Sequence, residues 1–128
     1  MDAVQRVIAI GALGALGALL RYALGDIVAR AGYGPSWLPT LVINVLGCFL
    51  IGLVDRLALS GFIGPAARLA IVVGFLGAFT TFSTYAREVV TLGAARDFVG
   101  MALQFTAQNV LGVLAVLAGM ATAAAWKG

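Results

Sequence analysis

The stretch GFLGAFTTFST, residues 74–84, decides how this chain folds. It lies in an apolar segment without charge between Arg68 and Arg87, yet it contains two glycines and four hydroxyl side chains. Glycine lowers helix propensity, and adjacent β-branched threonines compete for backbone hydrogen bonds. These residues favour a helix break near residues 77–81. A straight helix whose glycines serve only close packing is the alternative, and the residues alone leave both open.

Around this stretch, the composition indicates a membrane protein. The chain has 128 residues, of which 62% are hydrophobic and 10% are charged, and its mean hydropathy is +1.08. A soluble domain carries about a quarter charged residues, and a chain this short cannot bury so much apolar surface in its own core. We therefore predict that residues 1–128 form a single all-α membrane subunit whose apolar surface faces the lipid bilayer.

Apolar stretches mark four candidate spans, three of them free of charge and the first containing Arg21, because a membrane helix needs about 20 apolar residues. The first is expected from about Val7 to Gly25, the second between Arg30 and Asp55, the third between Arg68 and Arg87, and the fourth between Asp97 and Lys127. Short segments with Gly, Pro or polar residues separate them, which predicts up-down order with both termini on one side. The first apolar run lacks a convincing cleavage site, so we expect a retained helix rather than a signal peptide.

Several function classes are excluded by the residue inventory. The net charge is +3, but the eight basic residues are spread singly, which argues against a nucleic-acid partner. The chain has no histidine and a single cysteine, Cys48, which excludes His-based hydrolysis and a Cys/His metal site. We expect no enzyme activity.

The distribution of basic residues predicts almost no preferred orientation of the chain in the membrane. One side of the predicted bundle carries Arg6, Arg56, Arg68 and Lys127, and the other carries Arg21, Arg30, Arg87 and Arg96. Topology follows the asymmetry of Lys and Arg between the two sides. Because this balance is even, the chain can insert both ways, and an antiparallel pair becomes possible.

Polar residues inside the spans are candidate pathway residues. Arg21 lies on a small-residue face of the first span and either points at protein or water, or extends to the headgroups. Asn44 in the second span either bonds a neighbouring helix or offers its two N–H donors to an anion. In the fourth span, Gln104 and Gln108 lie on one ridge with Asn109 beside it, which favours a packing face or, alternatively, a polar lining.

The remaining pattern favours passive conduction of an anion. Aromatic rings carry a positive edge, and Phe82 and Tyr85 share a helix face, although such pairs more often only pack. Proton-coupled transport needs a titratable group within the membrane, whereas the carboxylates are expected at span ends or at the terminus. These are Asp2, Asp26, Asp55, Glu88 and Asp97. Amides, hydroxyls, ring edges and one arginine form a donor-rich set that suits an anion.

Four stretches in order resemble the Fluc/CrcB family of fluoride channels. They are GALGALLRY at 14–22, TLVINVLGCFLIG at 40–52, the highly specific GFLGAFTTFSTYARE at 74–88, and the weaker QNVLGVLA at 108–115. The resemblance implies a dual-topology homodimer of antiparallel four-helix subunits, with a third helix broken near its middle. It also implies a structural sodium ion at the dimer interface, held by backbone carbonyls at Gly77 and Thr80.

The resemblance further implies a fluoride pathway. Its asparagine, aromatic pair and arginine fall on Asn44, Phe82, Tyr85 and Arg21, and we add Thr81, Ser83 and Asn109 as lining candidates. Three positions depart from the family pattern: Tyr85 stands where Phe is usual, Val113 where many members have serine, and Pro39 where a glycine is usual. The expected function is passive export of cytoplasmic fluoride across the bacterial inner membrane, as detoxification. The alternative is a small dual-topology multidrug/proton antiporter, which needs a glutamate in the first span that this chain lacks.

Overall fold

The computed structural model describes residues 1–126. Its helices are α1 (Ala3–Ala31), α2 (Leu38–Leu59), α3 (Pro65–Leu69), a π-helical segment (Ala70–Leu76), α4 (Gly77–Phe79), α5 (Phe82–Ala94) and α6 (Phe98–Ala125). Four helical units are long and apolar enough to cross a membrane: Ala3–Ala31, Leu38–Leu59, Pro65–Ala94 and Phe98–Ala125. No strand occurs in the described residues. The predicted all-α architecture with four spans is confirmed.

The helices extend past the predicted span limits because charged residues near their ends remain helical. In α1, Asp2 and Gln5 form a reciprocal capping box, and the helix ends at Gly32, whose φ of 70° is left-handed. Asp55 lies inside α2 and accepts from Arg68 Nη2 of α3 at 2.8 Å, which ties the two helices together at one end of the bundle. Lys127, the predicted limit of the fourth span, lies outside the described residues.

The spans alternate in direction, as the short connections predicted. Cys48 lies beside Gly112 and Gly52 beside Val116, so α2 and α6 run parallel along their most extensive contact. α1 packs against the third span, and the carbonyl of Phe75 occupies the place that a Cβ on Gly17 would take. Only glycine therefore allows this close approach of the two helices.

The third span is the irregular one. Its π-helical segment Ala70–Leu76 leads into the single turn of α4. Thr80 (φ −81°, ψ 159°) and Thr81 (φ −147°, ψ 108°) then adopt extended backbone before α5 begins at Phe82. π-helical turns are rare and often accompany functional sites. Nothing in the sequence pattern predicted this one.

Candidate functional site

Asn44 of α2 makes two hydrogen bonds to the backbone of Thr81, and this pair of bonds is called the bracket. Its Oδ1 accepts from the Thr81 N–H at 2.8 Å, and its Nδ2 donates to the Thr81 carbonyl at 3.1 Å. A side-chain amide has the same donor and acceptor groups as a peptide, so it replaces the two bonds that the backbone would otherwise make in a helix. Asn44 thereby stabilises the extended conformation at Thr81.

Close packing at Gly47 brings α2 against the extended residues Thr80 and Thr81. A Cβ added to Gly47, one helical turn beyond Asn44, would collide with the Thr80 methyl group. The Thr80 hydroxyl donates to the Leu76 carbonyl at 2.9 Å, which fixes its rotamer. The absence of a side chain at Gly47 is what lets α2 approach the extended residues.

Thr81 caps the next helix with its own side chain. Its Oγ1 accepts from the Thr84 N–H at 3.3 Å, as an N-cap residue does. It also donates to Thr84 Oγ1 at 3.0 Å and lies 3.4 Å from Ser83 Oγ. The hydroxyl groups that weaken the helix in the sequence therefore satisfy the polar groups that the interruption frees.

Two backbone carbonyls lose their helical donors as a result. A regular helix would close bonds from Thr81 N–H to Gly77 and from Thr84 N–H to Thr80. These N–H groups donate instead to Asn44 Oδ1 and Thr81 Oγ1. The carbonyls of Gly77 and Thr80 are thus released from the helical pattern and can accept from other groups.

Arg21 reaches one of these carbonyls. Its Nη1 donates to the Thr80 carbonyl at 3.4 Å, and its side chain is partly buried. The guanidinium is therefore directed at protein, which decides between the two alternatives left open for it. It lines a separate cavity of about 390 Å³ together with Thr81 and Thr84.

Most of the predicted pathway residues line one cavity of about 410 Å³ between α2, the third span and α6. Asn44, Thr81, Phe82, Tyr85 and Asn109 line it, as do Gly77 and Thr80. Arg21 and Ser83 are not among its lining residues. All the described side chains that line this cavity are uncharged, so its polarity comes from amides and hydroxyls.

The two aromatic residues, which the spacing predicted on one helix face, lie edge to face. The ring centroids of Phe82 and Tyr85 are 5.6 Å apart at an interplanar angle of 67°. Tyr85 is 8% exposed, whereas Phe82 is 77% exposed, so Phe82 presents its ring to the surroundings of the subunit. The phenol oxygen of Tyr85 accepts from Asn109 Nδ2 at 3.3 Å, which gives the added hydroxyl a partner.

Asn44 also contacts Gln108 on α6. The Asn44 Nδ2 donates to Gln108 Oε1 at 3.3 Å in addition to its bond with Thr81. Both amide hydrogens of Asn44 therefore meet protein acceptors, as expected for a residue that joins neighbouring helices. Gln108 lines the cavity, in agreement with the polar lining that the sequence offered as the alternative for its ridge.

Glu88 corrects the expectation that every carboxylate lies at a span end. It lies within α5, which continues to Ala94, and it accepts from Thr40 Oγ1 at 2.7 Å and from Gln104 Nε2 at 2.6 Å. Gln104 is fully buried. The sequence rule failed because it ends a span at any charge, whereas this charge is stabilised by two donors from other helices.

The sequence pattern did not connect Thr40 and Gln104 with Glu88. Each is a lone polar residue in an apolar run, and only the fold brings them to Glu88. The four-residue spacing between Gln104 and Gln108 was the available signal, because it places both amides on the face of α6 that packs against α2.

The fold and the cavity define a multi-pass membrane protein with an uncharged polar cavity beside the extended backbone of Thr80 and Thr81. In membranes, irregular backbone is tolerated where it is buried in protein or lines a cavity, and such sites bind ions and small solutes. The profile of the family described as CrcB-like protein, Camphor Resistance (CrcB), matches residues 8–120. The chain belongs to this family.

Curated relatives agree along most of the chain. A fluoride-specific ion channel FluC of Nitratidesulfovibrio vulgaris is 37% identical over 124 residues, covering 93% of this chain and 97% of the relative. A protein of the same name from Thermus thermophilus is 45% identical, covering 80% of this chain and 81% of the relative. Another from Geobacter sulfurreducens is 39% identical, covering 91% and 95% respectively.

Proposed function

We propose that this protein is a passive fluoride channel that exports cytoplasmic fluoride. The observation that carries the proposal is the cavity of about 410 Å³ beside Thr80 and Thr81, with amide and hydroxyl groups and no charged side chain among its described lining residues. A small anion that loses its hydration shell needs hydrogen-bond donors, which such a lining offers. The names of the relatives support fluoride as the ion.

The mechanism is replacement of hydration at fixed donors. The edges of the Phe82 and Tyr85 rings would meet the ion, while the Asn44 amide and the Thr81 hydroxyl, whose hydrogens bond protein acceptors, would line the path and hold its shape. They are held in place by the bracket at Thr81 and by the contact of 3.3 Å between Asn109 and the Tyr85 phenol. Fixed donors need no reorganisation when an ion arrives, so they favour an ion whose size matches their spacing. Net flux then follows the fluoride gradient.

The interruption in the third span is part of this proposal. In our interpretation, Pro65–Ala94 crosses the membrane as one helix broken at Thr80 and Thr81. Support comes from the extended backbone at these two residues and from side chains that take over their hydrogen bonds. The break then places polar backbone beside the pathway.

Sodium is the metal proposed at the break. The carbonyls of Gly77 and Thr80 are oxygen ligands freed from helical bonding, and unwound carbonyls in membrane helices suit this ion. Bound sodium would supply fixed positive charge to neutralise these dipoles. Arg21 also donates to the Thr80 carbonyl, so its guanidinium shares the task of satisfying that oxygen.

The assembly proposed is an antiparallel homodimer inserted in both orientations in a bacterial inner membrane. The even distribution of basic residues supports dual insertion. The exposed ring of Phe82, which borders the cavity, supports a partner surface at this position. A second subunit would cover that ring and complete the path around it.

The antiporter alternative is not favoured. Its mechanism requires a carboxylate embedded in the first span. The only carboxylate in α1, a helix that the structure describes completely, is Asp26 near its end, and Asp26 is paired with Arg30 at 2.7 Å. The family relationship also favours a channel.

Efflux from liposomes tests the proposed function. The purified protein is reconstituted with internal fluoride or chloride, and release is followed with ion-selective electrodes. We expect rapid fluoride release and slow chloride release. Fluoride release no faster than from protein-free vesicles would contradict the function, and equally rapid chloride release would contradict the selectivity.

A further inference from the structure

A directional chain of hydrogen bonds starts at the interrupted helix. The Thr81 N–H donates to Asn44 Oδ1 at 2.8 Å, which fixes the orientation of the Asn44 amide because an N–H must meet an oxygen. Asn44 Nδ2 then donates to Gln108 Oε1 at 3.3 Å, which fixes the Gln108 amide in turn. The chain therefore ends on the amino group of Gln108.

That amino group is a buried donor without an acceptor. Gln108 Nε2 is buried and has no hydrogen-bond partner among the described residues. A buried donor left unpaired destabilises a protein, and such groups in native structures call for an explanation. Gln108 lines the same cavity as Asn44, Thr81 and Tyr85. The residue that carries the unpaired donor thus borders the path proposed for the ion.

We propose that Gln108 is a fluoride-binding residue whose Nε2 amino group donates to the dehydrated anion. This inference rests on the proposed function and assigns a donor within its path. Asn44 then has a second task as a positioning residue, because its bond to Oε1 orients the Gln108 amide and leaves Nε2 free to donate. The extended backbone at Thr81 thus orients the Asn44 amide, and the Asn44 amide orients the Gln108 amide on α6.

A structural alternative involves the neighbouring glutamine. Gln104 Oε1 is also buried without a partner, and Gln104 lies one helical turn before Gln108 on the same face. A bond between the two amides would satisfy both atoms without any ion. The two explanations differ in one measurable property, since only the first makes the contribution of Gln108 depend on fluoride.

Thermal unfolding in fluoride and in chloride separates them. A ligand that binds the folded state raises its unfolding midpoint. The wild-type protein in detergent is expected to unfold at a higher temperature in fluoride than in chloride at equal ionic strength. Gln108→Met removes the amide at similar length, and its midpoint is expected to be the same in both salts. Its fluoride efflux is expected to fall about tenfold or more, the effect of losing a hydrogen bond to a charged group.

Two further variants sharpen the test. Gln108→Glu keeps an oxygen for Asn44 but replaces the free amino group, so it is expected to lose the fluoride response as well. If Gln108→Met does not fold, the unfolding midpoints in the two salts and the fluoride efflux are measured on Gln108→Glu instead. Thr106→Val is the matched control, because it removes a polar group from an exposed position of α6 and is expected to retain the wild-type response.

The failures are distinguishable. If wild-type protein releases no fluoride, the proposed function is wrong. If it conducts while Gln108→Met keeps both the fluoride-dependent midpoint and wild-type efflux, the role of Gln108 is wrong and the function stands. A change of midpoint that is equal in both salts, with efflux unchanged, would favour the bond to Gln104 and overturn the inference.

Discussion

Two membrane-length units of similar size behave differently in this molecule. α6, of 28 residues, is continuous although it contains three glycines and the amides Gln104, Gln108 and Asn109. The third span, Pro65–Ala94, has 30 residues and is interrupted at Thr80 and Thr81. Glycine and polar content therefore do not distinguish a continuous helix from an interrupted one.

The difference lies in what the polar side chains bind. Asn109 of α6 donates to the Phe105 carbonyl at 2.7 Å, four residues earlier. This bond takes no backbone N–H group out of the helical hydrogen-bond pattern. At the interruption, Asn44 Oδ1 and Thr81 Oγ1 accept from backbone N–H groups instead. Removal of helical donors opens a helix, whereas an extra donor to a helical carbonyl does not.

The largest expected effect comes from removing the bracket. Asn44→Ala leaves the N–H and the carbonyl of Thr81 without these partners, and each unpaired buried group costs about 1–3 kcal/mol. We expect a loss of about 2–5 kcal/mol in the free energy of unfolding, measured by chemical denaturation in detergent. Asn44→Asp, which keeps an oxygen for the Thr81 N–H, should lose less. Equal stability of Asn44→Ala and wild type would contradict the role of the bracket.

Forcing the two segments apart is expected to have the next largest effect. Gly47→Ala places a methyl group against the Thr80 side chain, and overpacking typically costs about 1–3 kcal/mol. Thermal unfolding and fluoride efflux should both decline. Gly11→Ala is the matched control because nothing lies within 4 Å of its added Cβ. If the two alanine variants behave alike, close approach at Gly47 is not what positions the interruption.

The half-buried carboxylate of Glu88 provides a smaller test on the regular part of the bundle. Thr40→Val removes the donor 2.7 Å from Glu88 Oε1, and a hydrogen bond to a charged group contributes about 1.5–3 kcal/mol. The expected result is a lower unfolding midpoint in calorimetry. Thr91→Val, which removes a hydroxyl bonded to the Arg87 carbonyl of its own helix, should have almost no effect. A larger loss in Thr91→Val would refute the importance of the Glu88 cluster.

The smallest effect is expected at the departure from the family pattern. Tyr85→Phe keeps the ring edge and loses only the phenol, whose contact with Asn109 is long at 3.3 Å. Neutral hydrogen bonds contribute about 0.5–1.5 kcal/mol, and this one should lie at the low end. Fluoride efflux should stay close to wild type. Complete loss of flux would show that the hydroxyl, rather than the ring edge, serves the ion.

The sequence was sufficient for the number of spans, their order and most cavity residues. The composition predicted a membrane protein. The low helix propensity at residues 77–81 coincides with the extended backbone at Thr80 and Thr81. The partner that stabilises this conformation, Asn44, lies 37 residues away, so no local pattern could connect the two. The cluster of Thr40, Glu88 and Gln104 and the π-helical segment Ala70–Leu76 likewise depend on tertiary packing.

Fluoride efflux from liposomes that contain equal amounts of folded wild-type protein or Asn44→Ala tests the central claim most directly. The claim is that a side chain of α2 shapes the anion path by holding the backbone of Thr81. We predict rapid fluoride release by the wild type and release at least about tenfold slower by the variant, since a distorted path that loses one hydrogen bond to the ion has an effect of this size. Equal release rates would contradict the account.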